Sequence, residues 1–437
     1  MRKISLGKDS HGTTRLLLNG KFVFQCGPLD QGFWPDGIYT APTDDALKSD
    51  LEYTKAIGFN MVRKHVKIEP DRWYYWADKL GLLVWQDMPA GELSTPASRA
   101  QWEAEMQRHI QAHYNHPSIV MWVLFNEGWG QYDAPRLVAR MRELDGTRLI
   151  DNASGWHDSG TGDIVDKHFY PGPGAPLMLD GRAVVTGEFG GLGYITPRHM
   201  WTPNAWGYQT FTDSKALTDE YLRLWQRVYK LRDEKGMSAA VYTQISDVEE
   251  EANGLLTYDR AVEKIDRARM LPANTDSLPP HQYRDLIPPN GTPSSGFWRY
   301  TVSTPSPDWI KPDFDDTAWD LAHGAFGSDA PAGISIGTPW TGDNLWLRRK
   351  FTVPAEGVEW PLISIEYGVD SEIYINGVLA CSPEGFLNCF GLYELNTAAK
   401  AMIKPGRNTI SIHVIDRHKG GRHYISVGLV DEQRPQL

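Results

Sequence analysis

Between residues 22 and 247, short apolar runs alternate with amphipathic stretches along the chain. The runs are nearly continuous in Val, Ile, Leu, Met and aromatic residues, a composition typical of parallel strands that are covered on both faces. Eight such runs are present, at residues 22–29, 59–65, 82–88, 119–127, 148–153, 164–170, 183–189 and 239–247. Because a barrel closes on eight parallel strands, the pattern predicts an α/β fold with a (β/α)8 TIM barrel, and an open, doubly wound sheet is the alternative.

The intervening stretches carry signals for helices. Thr43 followed by Asp44 and Asp45 predicts a capped, acidic first turn, and Gly58 predicts the end of that helix. Pro70 and Gly81 delimit the next helix. Apolar residues at helical spacing indicate three more: Trp102, Met106 and Ile110; Leu137, Met141 and Leu144; and Leu217, Tyr221, Leu224, Val228 and Leu231. The segments 156–163 and 171–182 leave little room, so we expect helices there to be short or absent.

Beyond residue 270 the pattern changes. Residues 271–295 are rich in Pro with Ser, Asn and Gly, which predicts an extended linker after a barrel at 21–270, with 1–20 as a lead-in. Further on, Ile410, Ile412 and Val414 alternate with polar residues, and Asn376-Gly377 predicts a hairpin turn. We therefore expect an all-β sandwich or jelly-roll domain at 296–433.

Charge and hydropathy limit the kinds of partner that we expect for this protein. The 437 residues include 44 Lys and Arg against 55 Asp and Glu, a formal charge of −11, so nucleic acid and anionic membranes are not expected partners. The apolar run at 119–125 is far shorter than the roughly 20 residues of a membrane-spanning helix. No signal peptide is recognisable, which makes the cytoplasm the default compartment and leaves export to a longer parent chain. The oligomeric state is open.

Cysteines and aromatic residues add less. Cys26, Cys381 and Cys389 are interpreted as buried thiols, with a Cys381–Cys389 disulfide as the alternative. The 17 Trp, 19 Tyr and 14 Phe fit a protein that stacks sugar rings, although aromatic residues mostly fill cores.

Carboxylates follow two of the predicted strands. The fourth run ends in Asn126-Glu127 and the seventh in Gly187-Glu188, at the barrel edge where enzymes of this fold carry their chemistry. Two facing carboxylates are what glycoside hydrolysis needs, one as a proton donor and one as a nucleophile. Charge coupling between them predicts an ionised nucleophile whose field keeps the other carboxyl protonated. The alternative is that either Glu is a salt-bridged structural residue.

These segments carry a family resemblance. The stretch Asn115-His116-Pro117-Ser118-Ile119-Val120-Met121-Trp122 leading into Asn126-Glu127 resembles the acid/base signature of glycoside hydrolase family 2, which contains β-galactosidases, β-glucuronidases and β-mannosidases. The segments 58–65, 82–89 and 186–191 resemble the second, third and seventh strands of that family. The motif at 314–319 and the hairpin at 374–377 are similar to galactose-binding-like jelly rolls, which makes the second domain a candidate carbohydrate-binding domain.

The resemblance implies roles for three residues. Glu127 is the expected acid/base, Glu188 the expected nucleophile, and Asn126 the expected partner of the sugar 2-hydroxyl. The two carboxyl groups are expected about 5 to 5.5 Å apart. The mechanism requires no cofactor and no metal.

Other candidate substrate-binding residues follow strand ends or lie in loops on the same edge: His65, Asp30, Trp34, His168, Tyr170 and Trp156. Four of them have a structural alternative: a core histidine for His65, a Gly/Pro turn for Asp30 and Trp34, and a rim aromatic for Tyr170. The acidic cluster of Asp247 and 249–251 is interpreted as a solvated rim, with a catalytic or metal role as the alternative.

Together these features predict a retaining exo-β-glycosidase that acts on a carbohydrate, with β-galactosides favoured. Residues 252–260 lack the Asn-x-Lys pair of the family's glucuronidases, which makes a uronate less favoured than a galactoside. The alternatives are a glycosidase for glucosides, mannosides or glucuronides, a transglycosidase, and a carbohydrate-binding protein without activity. The family's usual N-terminal domains are not expected in the short lead-in, so activity without them is left open.

Overall fold

The computed structural model describes residues 2–176, 178–279, 282–288, 296–330, 334–383, 387–417 and 422–433, except for the side chains of 387–390. The chain forms two compact units, Met1–Leu278 and Pro279–Leu437. None of the helices in the described ranges is long and apolar enough to cross a membrane.

The first unit is a nearly closed parallel barrel preceded by a small antiparallel sheet. That sheet contains β1 (Ile4–Lys8), β2 (Thr14–Leu18) and β3 (Lys21–Phe22). The barrel strands are β4 (Gln25–Asp30), β5 (Met61–Lys64), β6 (Leu83–Asp87), β7 (Ile119–Val123), β8 (Leu149–Asp151), β9 (Ile164–Phe169), β10 (Ala183–Gly190) and, after the short strands β11 (Leu192–Tyr194) and β12 (Gln209–Phe211), β13 (Met237–Thr243). Their order is β8-β7-β6-β5-β4-β13-β10-β9, which confirms the barrel and not the open sheet.

Only the seam between β8 and β9 lacks a regular ladder. There the backbone N–H of Asp163 donates to the carbonyl of Ile150 at 2.8 Å, which joins the two ends of the sheet. The N-terminal hairpin packs Ile4 and Leu16 into the same apolar cluster as Leu83 and Ile164, residues at the starts of barrel strands. The lead-in therefore covers the end of the barrel opposite to the strand ends that carry the candidate site.

Five helices flank the barrel where the sequence predicts them: α1 (Asp44–Ala56), α2 (Asp71–Leu80), α3 (Pro96–His113), α4 (Ala134–Leu144) and α5 (Ser214–Lys235). A sixth helix, α6 (Arg267–Asn274), is not predicted. The Thr43 hydroxyl accepts from the N–H of Ala46 and caps α1, and Gly81 ends α2 in the left-handed conformation. Among the described residues no helix connects β8 to β9 or β9 to β10, as the short spacing predicts.

The second unit contains two six-stranded, mostly antiparallel sheets. Its strands are β14 (Gln282–Ile287), β15 (Phe297–Thr301), β16 (Asp320–His323), β17 (Phe326–Gly327), β18 (Thr338–Pro339), β19 (Asn344–Val353), β20 (Pro361–Tyr367), β21 (Asp370–Ile375), β22 (Val378–Cys381), β23 (Leu387–Glu394), β24 (Gly406–Ile415) and β25 (Tyr424–Gln433), with a 3-10 turn (Pro307–Ile310) and α7 (Thr397–Met402). One sheet has the order β18-β17-β25-β20-β23 with β14 on β25, and the other has the order β16-β15-β19-β24-β21-β22.

Two local predictions in this unit are confirmed. Asn376 and Gly377 both have positive φ and connect β21 to β22, as a two-residue hairpin requires. The alternating residues Ile410, Ile412 and Val414 are all buried in β24.

Two parts of the predicted linker at 271–295 form regular secondary structure instead. Its first residues, 271–274, belong to α6, and residues 282–287 form β14, which pairs antiparallel with β25. Proline content indicates an extended backbone but does not reveal that a distant strand supplies its hydrogen-bond partners. Residues 275–279 and 288 belong to no helix or strand, and positions 280, 281 and 289–295 lie outside the described residues.

The cysteine prediction is tested at two positions. Cys26 is buried and Cys381 is half-buried, and both carry free thiols. Burial raises the pKa of each thiol to about 12. The side chain of Cys389 lies outside the described residues.

Candidate active site

Two glutamates meet at the carboxyl ends of the barrel strands. Glu188 is part of β10, and Glu127 follows β7 in the left-handed conformation, with its N–H donating to the carbonyl of Ser154 at 2.9 Å. The Glu127 side chain is 23% exposed, whereas that of Glu188 is 7% exposed. One carboxylate oxygen of each, together with a ring nitrogen of His168, lies within 4.8 Å of the others.

A buried arginine holds the Glu188 side of this pair. Arg63, from β5, has no exposed surface and donates to Glu188 Oε1 at 3.2 Å, to Asn126 Oδ1 at 2.8 Å and to both oxygens of Asp87. It also donates to the carbonyl of Gly187 at 3.1 Å. Arg63 thus fixes the nucleophile candidate and the Asn126 amide in one arrangement, and leaves the amide nitrogen of Asn126 to point away from the guanidinium.

A histidine holds the Glu127 side. His168 Nδ1 lies 2.8 Å from Glu127 Oε1 and 3.4 Å from Glu188 Oε2. His168 Nε2 lies 2.8 Å from the hydroxyl of Ser154, which donates to Asp166 Oδ2 at 2.6 Å. A β-carbon at Gly187 would lie 2.0 Å from an oxygen of Asp166, so only glycine lets this carboxylate approach the backbone beside Glu188.

The surroundings shift the acid strengths of all three groups. Burial raises the pKa of Glu188, although His168 and Arg63 act against that rise. For Glu127 burial acts in the same direction, but the hydrogen bond and charge of His168 outweigh it and lower the pKa. Burial alone would lower the pKa of His168, yet the carboxylates of Glu188, Glu127 and Asp166 raise it above its usual value. The pKa of Glu127 therefore shifts in the direction opposite to the one that charge coupling between the two glutamates predicts.

Three further candidates lie at this pair. The Tyr170 hydroxyl donates to Glu188 Oε2 at 2.5 Å and lies 2.7 Å from the hydroxyl of Thr243. His65 is buried with Nε2 3.7 Å from Glu188 Oε1, and neither of its ring nitrogens has a hydrogen-bond partner among the described residues. Trp156 hydrogen-bonds Glu127, and its ring centroid lies 5.7 Å from that of His168.

Asp30 and Trp34 are not brought to the pair. Asp30 is buried and accepts hydrogen bonds from Lys64 Nζ at 2.6 Å and from the N–H of Gly32. Trp34 is buried with the Arg260 guanidinium 4.0 Å from its ring centroid. Successive side chains of a strand point to opposite faces, so Asp30, the last residue of β4, is turned away from the barrel interior that Leu29 occupies.

The acidic cluster after β13 divides in two. Asp247 pairs with the buried Lys264, which is a structural contact. Glu251 instead accepts from the side-chain amides of Gln244 at 2.8 Å and Asn253 at 3.1 Å, and both Glu188 and Glu127 contribute to raising its pKa after burial. Glu251 therefore belongs to the surroundings of the candidate site and not to a solvated rim alone.

Sequence reasoning missed several residues of the site: Arg63, Asp87, Ser154, Asp166, Tyr208 and the exposed Trp129. A signal existed for Asp166, because it alternates with His168 and Tyr170 and so shares one face of β9. Tyr208, whose ring stacks on Tyr170 at 3.8 Å, lies in a loop that no periodicity covers.

The Glu127, His168 and Glu188 side chains form the one group of three in the described residues that is close enough together to hold a metal ion. A hydrogen bond already joins two of them, and Arg63 and Tyr170 occupy the oxygens of the third. The arrangement is suited to acid–base and nucleophilic chemistry on a bound substrate.

Part of the barrel sequence matches a known protein family. Residues 36–171 match the family model described as "Glycosyl hydrolases family 2, TIM barrel domain". A "Putative beta-glucuronidase" of Formosa agariphila is 31% identical over 150 residues, and a beta-galactosidase of Lactococcus lactis subsp. lactis is 28% identical over 139 residues. The matches cover 32% and 30% of this chain and 14% of each relative, so the chain aligns with a small part of either protein.

Solved structures resemble the fold. Beta-glucuronidase 2 of Bacteroides uniformis matches with a TM-score of 0.50 and 14% identity, over 98% of this chain and 67% of that one. A GH2 beta-galacturonidase of Eisenbergiella tayi matches with a TM-score of 0.50 and 19% identity, over 64% of this chain and 54% of that one. At these identities the likeness concerns the fold alone.

Proposed function

Because this chain belongs to glycoside hydrolase family 2 through its barrel, we propose that it is a retaining exo-β-glycosidase that hydrolyses terminal β-linked sugars, with β-galactosides as preferred substrates. The observation that carries the proposal is the pair Glu127 and Glu188, which lie at the carboxyl ends of two non-adjacent barrel strands, β7 and β10, with one carboxylate oxygen of each within 4.8 Å of the other. This spacing favours the retaining mechanism, whose carboxyl groups lie about 5 to 5.5 Å apart, over the inverting one, which needs roughly 6.5 to 9.5 Å.

In this mechanism Glu188 attacks the anomeric carbon while Glu127 gives a proton to the departing oxygen. The Arg63 and Tyr170 hydrogen bonds favour the ionised, correctly oriented form of Glu188. After the first product leaves, Glu127 takes a proton from water, and the hydroxide so formed breaks the ester to Glu188.

The sugar would bind through groups that are held in place before it arrives. Asn126 is fixed through its oxygen by Arg63, which leaves its amide nitrogen available to the 2-hydroxyl. His65 is buried beside Glu188, and among the described residues no group lies within hydrogen-bonding geometry of its ring nitrogens, so a sugar hydroxyl would satisfy a ring nitrogen that is otherwise costly to bury.

Preference for a neutral sugar rests on charge. Glu251 adds a third carboxylate to the surroundings of the pair, and no Lys or Arg among the described residues forms an ion pair with it. A glycone carboxylate would meet like charge there, which disfavours uronates. The alternative, a β-uronidase, is supported by the similarity to a putative beta-glucuronidase and to a beta-galacturonidase.

The test is hydrolysis of nitrophenyl β-galactoside, β-glucoside, β-mannoside, β-xyloside and β-glucuronide by the wild type and three variants. Glu188→Gln should lower kcat/KM by about 10³-fold or more, because the nucleophile is lost. Glu127→Gln should lower it by about 10²-fold or more. Glu250→Gln, an exposed neighbour on the rim, is the matched control and should retain wild-type activity.

Each outcome decides between candidate functions. Release of the β-anomer as the first product, seen by NMR, supports retention, and the α-anomer contradicts it. Turnover of the glucuronide in preference to the galactoside would replace the substrate assignment with the uronidase. Sugar binding without turnover, unchanged in Glu188→Gln, would instead identify a carbohydrate-binding protein.

A further inference from the structure

A continuous set of hydrogen bonds leads from Asp166 to Glu127. Ser154 has a single hydroxyl hydrogen, which it donates to Asp166 Oδ2 at 2.6 Å. At the 2.8 Å contact with His168 Nε2, the serine oxygen must therefore accept, and Nε2 must carry a hydrogen. The Asp166 contact thus selects the protonation state of the far side of the imidazole ring.

The hydrogen on Nε2 determines which protonation states are possible for Nδ1, the ring nitrogen of His168 that faces Glu127. His168 Nδ1 and Glu127 Oε1 are 2.8 Å apart, a distance at which two lone pairs without a hydrogen between them would repel. Since Nε2 already holds its own hydrogen, one additional proton lies between Nδ1 and Oε1. The two side chains are either an imidazolium with a carboxylate or a neutral imidazole with a carboxylic acid.

The charges around the pair decide between these two forms. Four carboxyl groups surround His168, from Glu127, Glu188, Asp166 and Asp87, against the single guanidinium of Arg63. The other histidine of the site does not alter that balance, because burial and the Arg63 charge lower the pKa of His65 and keep its ring neutral. An excess of carboxylates favours a cation, so in the free site the shared proton resides on His168.

We propose that His168 stores the proton that Glu127 delivers to the leaving group, which makes the general acid a Glu127–His168 pair. The inference rests on the proposed glycosidase function. In the first step the proton passes from Nδ1 to Glu127, and from Glu127 to the glycosidic oxygen as the bond to the anomeric carbon breaks. In the second step water gives its proton to Glu127, which returns it to Nδ1, while the hydroxide joins the anomeric carbon and the ester bond from that carbon to Glu188 breaks, which regenerates the Glu188 carboxylate. The cycle ends with His168 protonated again, so His168 is a positioning residue for the proton and not a group that touches the substrate.

The proton held on His168 explains how Glu127 can act as an acid although its surroundings favour its ionised form. Substrate binding and attack by Glu188 remove negative charge beside His168 as the ester forms. Loss of that charge makes the imidazolium less favourable and drives its proton towards Glu127. The proton therefore reaches Glu127 as the glycosidic bond breaks and negative charge develops on the leaving oxygen.

The direct test is NMR of the full chain labelled in its histidine rings. We expect His168 to titrate above 6.5 and to keep its hydrogen on Nε2 when the ring becomes neutral. In Glu127→Gln the partner carboxylate is gone, and the His168 pKa should fall by about one unit or more. A His168 ring that is neutral below pH 6, that carries its neutral hydrogen on Nδ1, or that ignores Glu127→Gln would overturn the proposal.

A kinetic test uses leaving groups of different basicity. His168→Asn should lower kcat/KM by about 10²-fold for a poor leaving group such as methoxyphenyl, which needs the acid, and by less than about tenfold for dinitrophenyl, which does not. The alkaline limb of the pH profile should move to lower pH, because the proton is then held by the Glu127 carboxyl alone and no longer by the more basic imidazole of His168. His65→Asn is the matched control: it should weaken both substrates alike and leave the limb in place.

The outcomes separate this proposal from the proposed function. If no substrate is turned over, the glycosidase function fails, while the NMR titration still decides whether the pair holds its proton on His168. If His168→Asn slows both leaving groups equally with an unmoved alkaline limb, the role of His168 is structural and the proposal is wrong. Should that variant not fold, the Glu127→Gln titration decides alone.

Discussion

Neighbouring residues of β5 carry two buried ionic networks with different tasks. Arg63 faces the barrel interior, with Met61 in the interior cluster, and its guanidinium joins Asp87, Asn126 and Glu188. Lys64 faces outward, and its Nζ joins Asp30 at 2.6 Å and Glu69 at 2.9 Å, 4.5 Å from the ring centroid of Trp73. The alternation of side chains along one strand thus separates a candidate catalytic network from a structural one.

The two networks are equally buried, so burial does not indicate function. Both cations have raised pKa values for the same reason, since paired carboxylates outweigh the effect of burial in each. What differs is the partner. Arg63 binds a carboxylate that also faces Tyr170 and His168, whereas the carboxylates around Lys64 contact, among the described residues, Lys67 and backbone groups. A buried charge is evidence for chemistry when its partner retains a face towards a substrate.

Arg63→Lys is expected to cause the largest loss of activity among the substitutions that test the contrast between the Arg63 and Lys64 networks. Lysine keeps the charge but cannot reproduce the forked contacts to Glu188, Asn126 and Asp87 at once. We expect kcat/KM on the best nitrophenyl glycoside to fall by about 10³-fold. The measurement is steady-state kinetics together with thermal unfolding, and a variant that keeps its activity would remove Arg63 from the site.

Lys64→Met should have the opposite effect to Arg63→Lys, with a loss of stability and little change in activity. It leaves Asp30 and Glu69 buried with less compensation, so the free energy of unfolding should fall by about 3 kcal/mol, while kcat/KM of the folded variant stays within about threefold. Lys55→Met, on the exposed face of α1, is the control and should change stability by less than about 0.5 kcal/mol.

Two results would contradict that prediction. Loss of activity beyond the loss of stability would mean that the outer network supports the site. Adding Asp30→Asn and Glu69→Gln to Lys64→Met removes the uncompensated charges and should restore stability. If it does not, the unpaired charges are not the cause of the stability loss.

The barrel and its helices could be predicted because their signals are local. Each strand is a continuous apolar run, and residues such as Thr43, Gly81 and Gly236 mark helix ends through their own backbone preferences. The hairpin at 376–377 is local in the same sense. The strand β14 was missed since its partner β25 lies near the other end of the chain.

The candidate site was predictable only in part. Glu127 and Glu188 follow apolar runs, which the sequence displays directly. Arg63 and Lys64 occupy one run, and nothing local says which of them faces the interior until the barrel closes. Ser154 and Tyr208 enter through loops, so their contacts with His168 and Tyr170 depend on tertiary structure alone.

The smallest expected effect is a pH-dependent change in the free energy of unfolding, and it concerns histidines on the two sides of the barrel wall. Unlike His168, which faces carboxylates, His109 of α3 is buried in the outer layer and neither ring nitrogen has a partner among the described residues. Burial lowers the pKa of His109 to about 3, with the neighbouring His113 adding to the effect. The unfolded chain binds the proton more readily, so stability from this residue is complete above pH 6.5 and is lost as the pH falls towards 3. At pH 5 the loss should be about 2 kcal/mol.

His109→Phe should remove that acid sensitivity. The difference in unfolding free energy between pH 7.5 and pH 5, measured with urea, should be about 2 kcal/mol smaller in the variant than in the wild type. His168→Asn should act in the other direction, because a raised pKa contributes stability below pH 6.5 that is lost as the pH rises through the folded value. Opposite pH slopes for the two substitutions would show that the inner network is built to hold a proton and the outer layer to exclude one, and equal slopes would contradict that division.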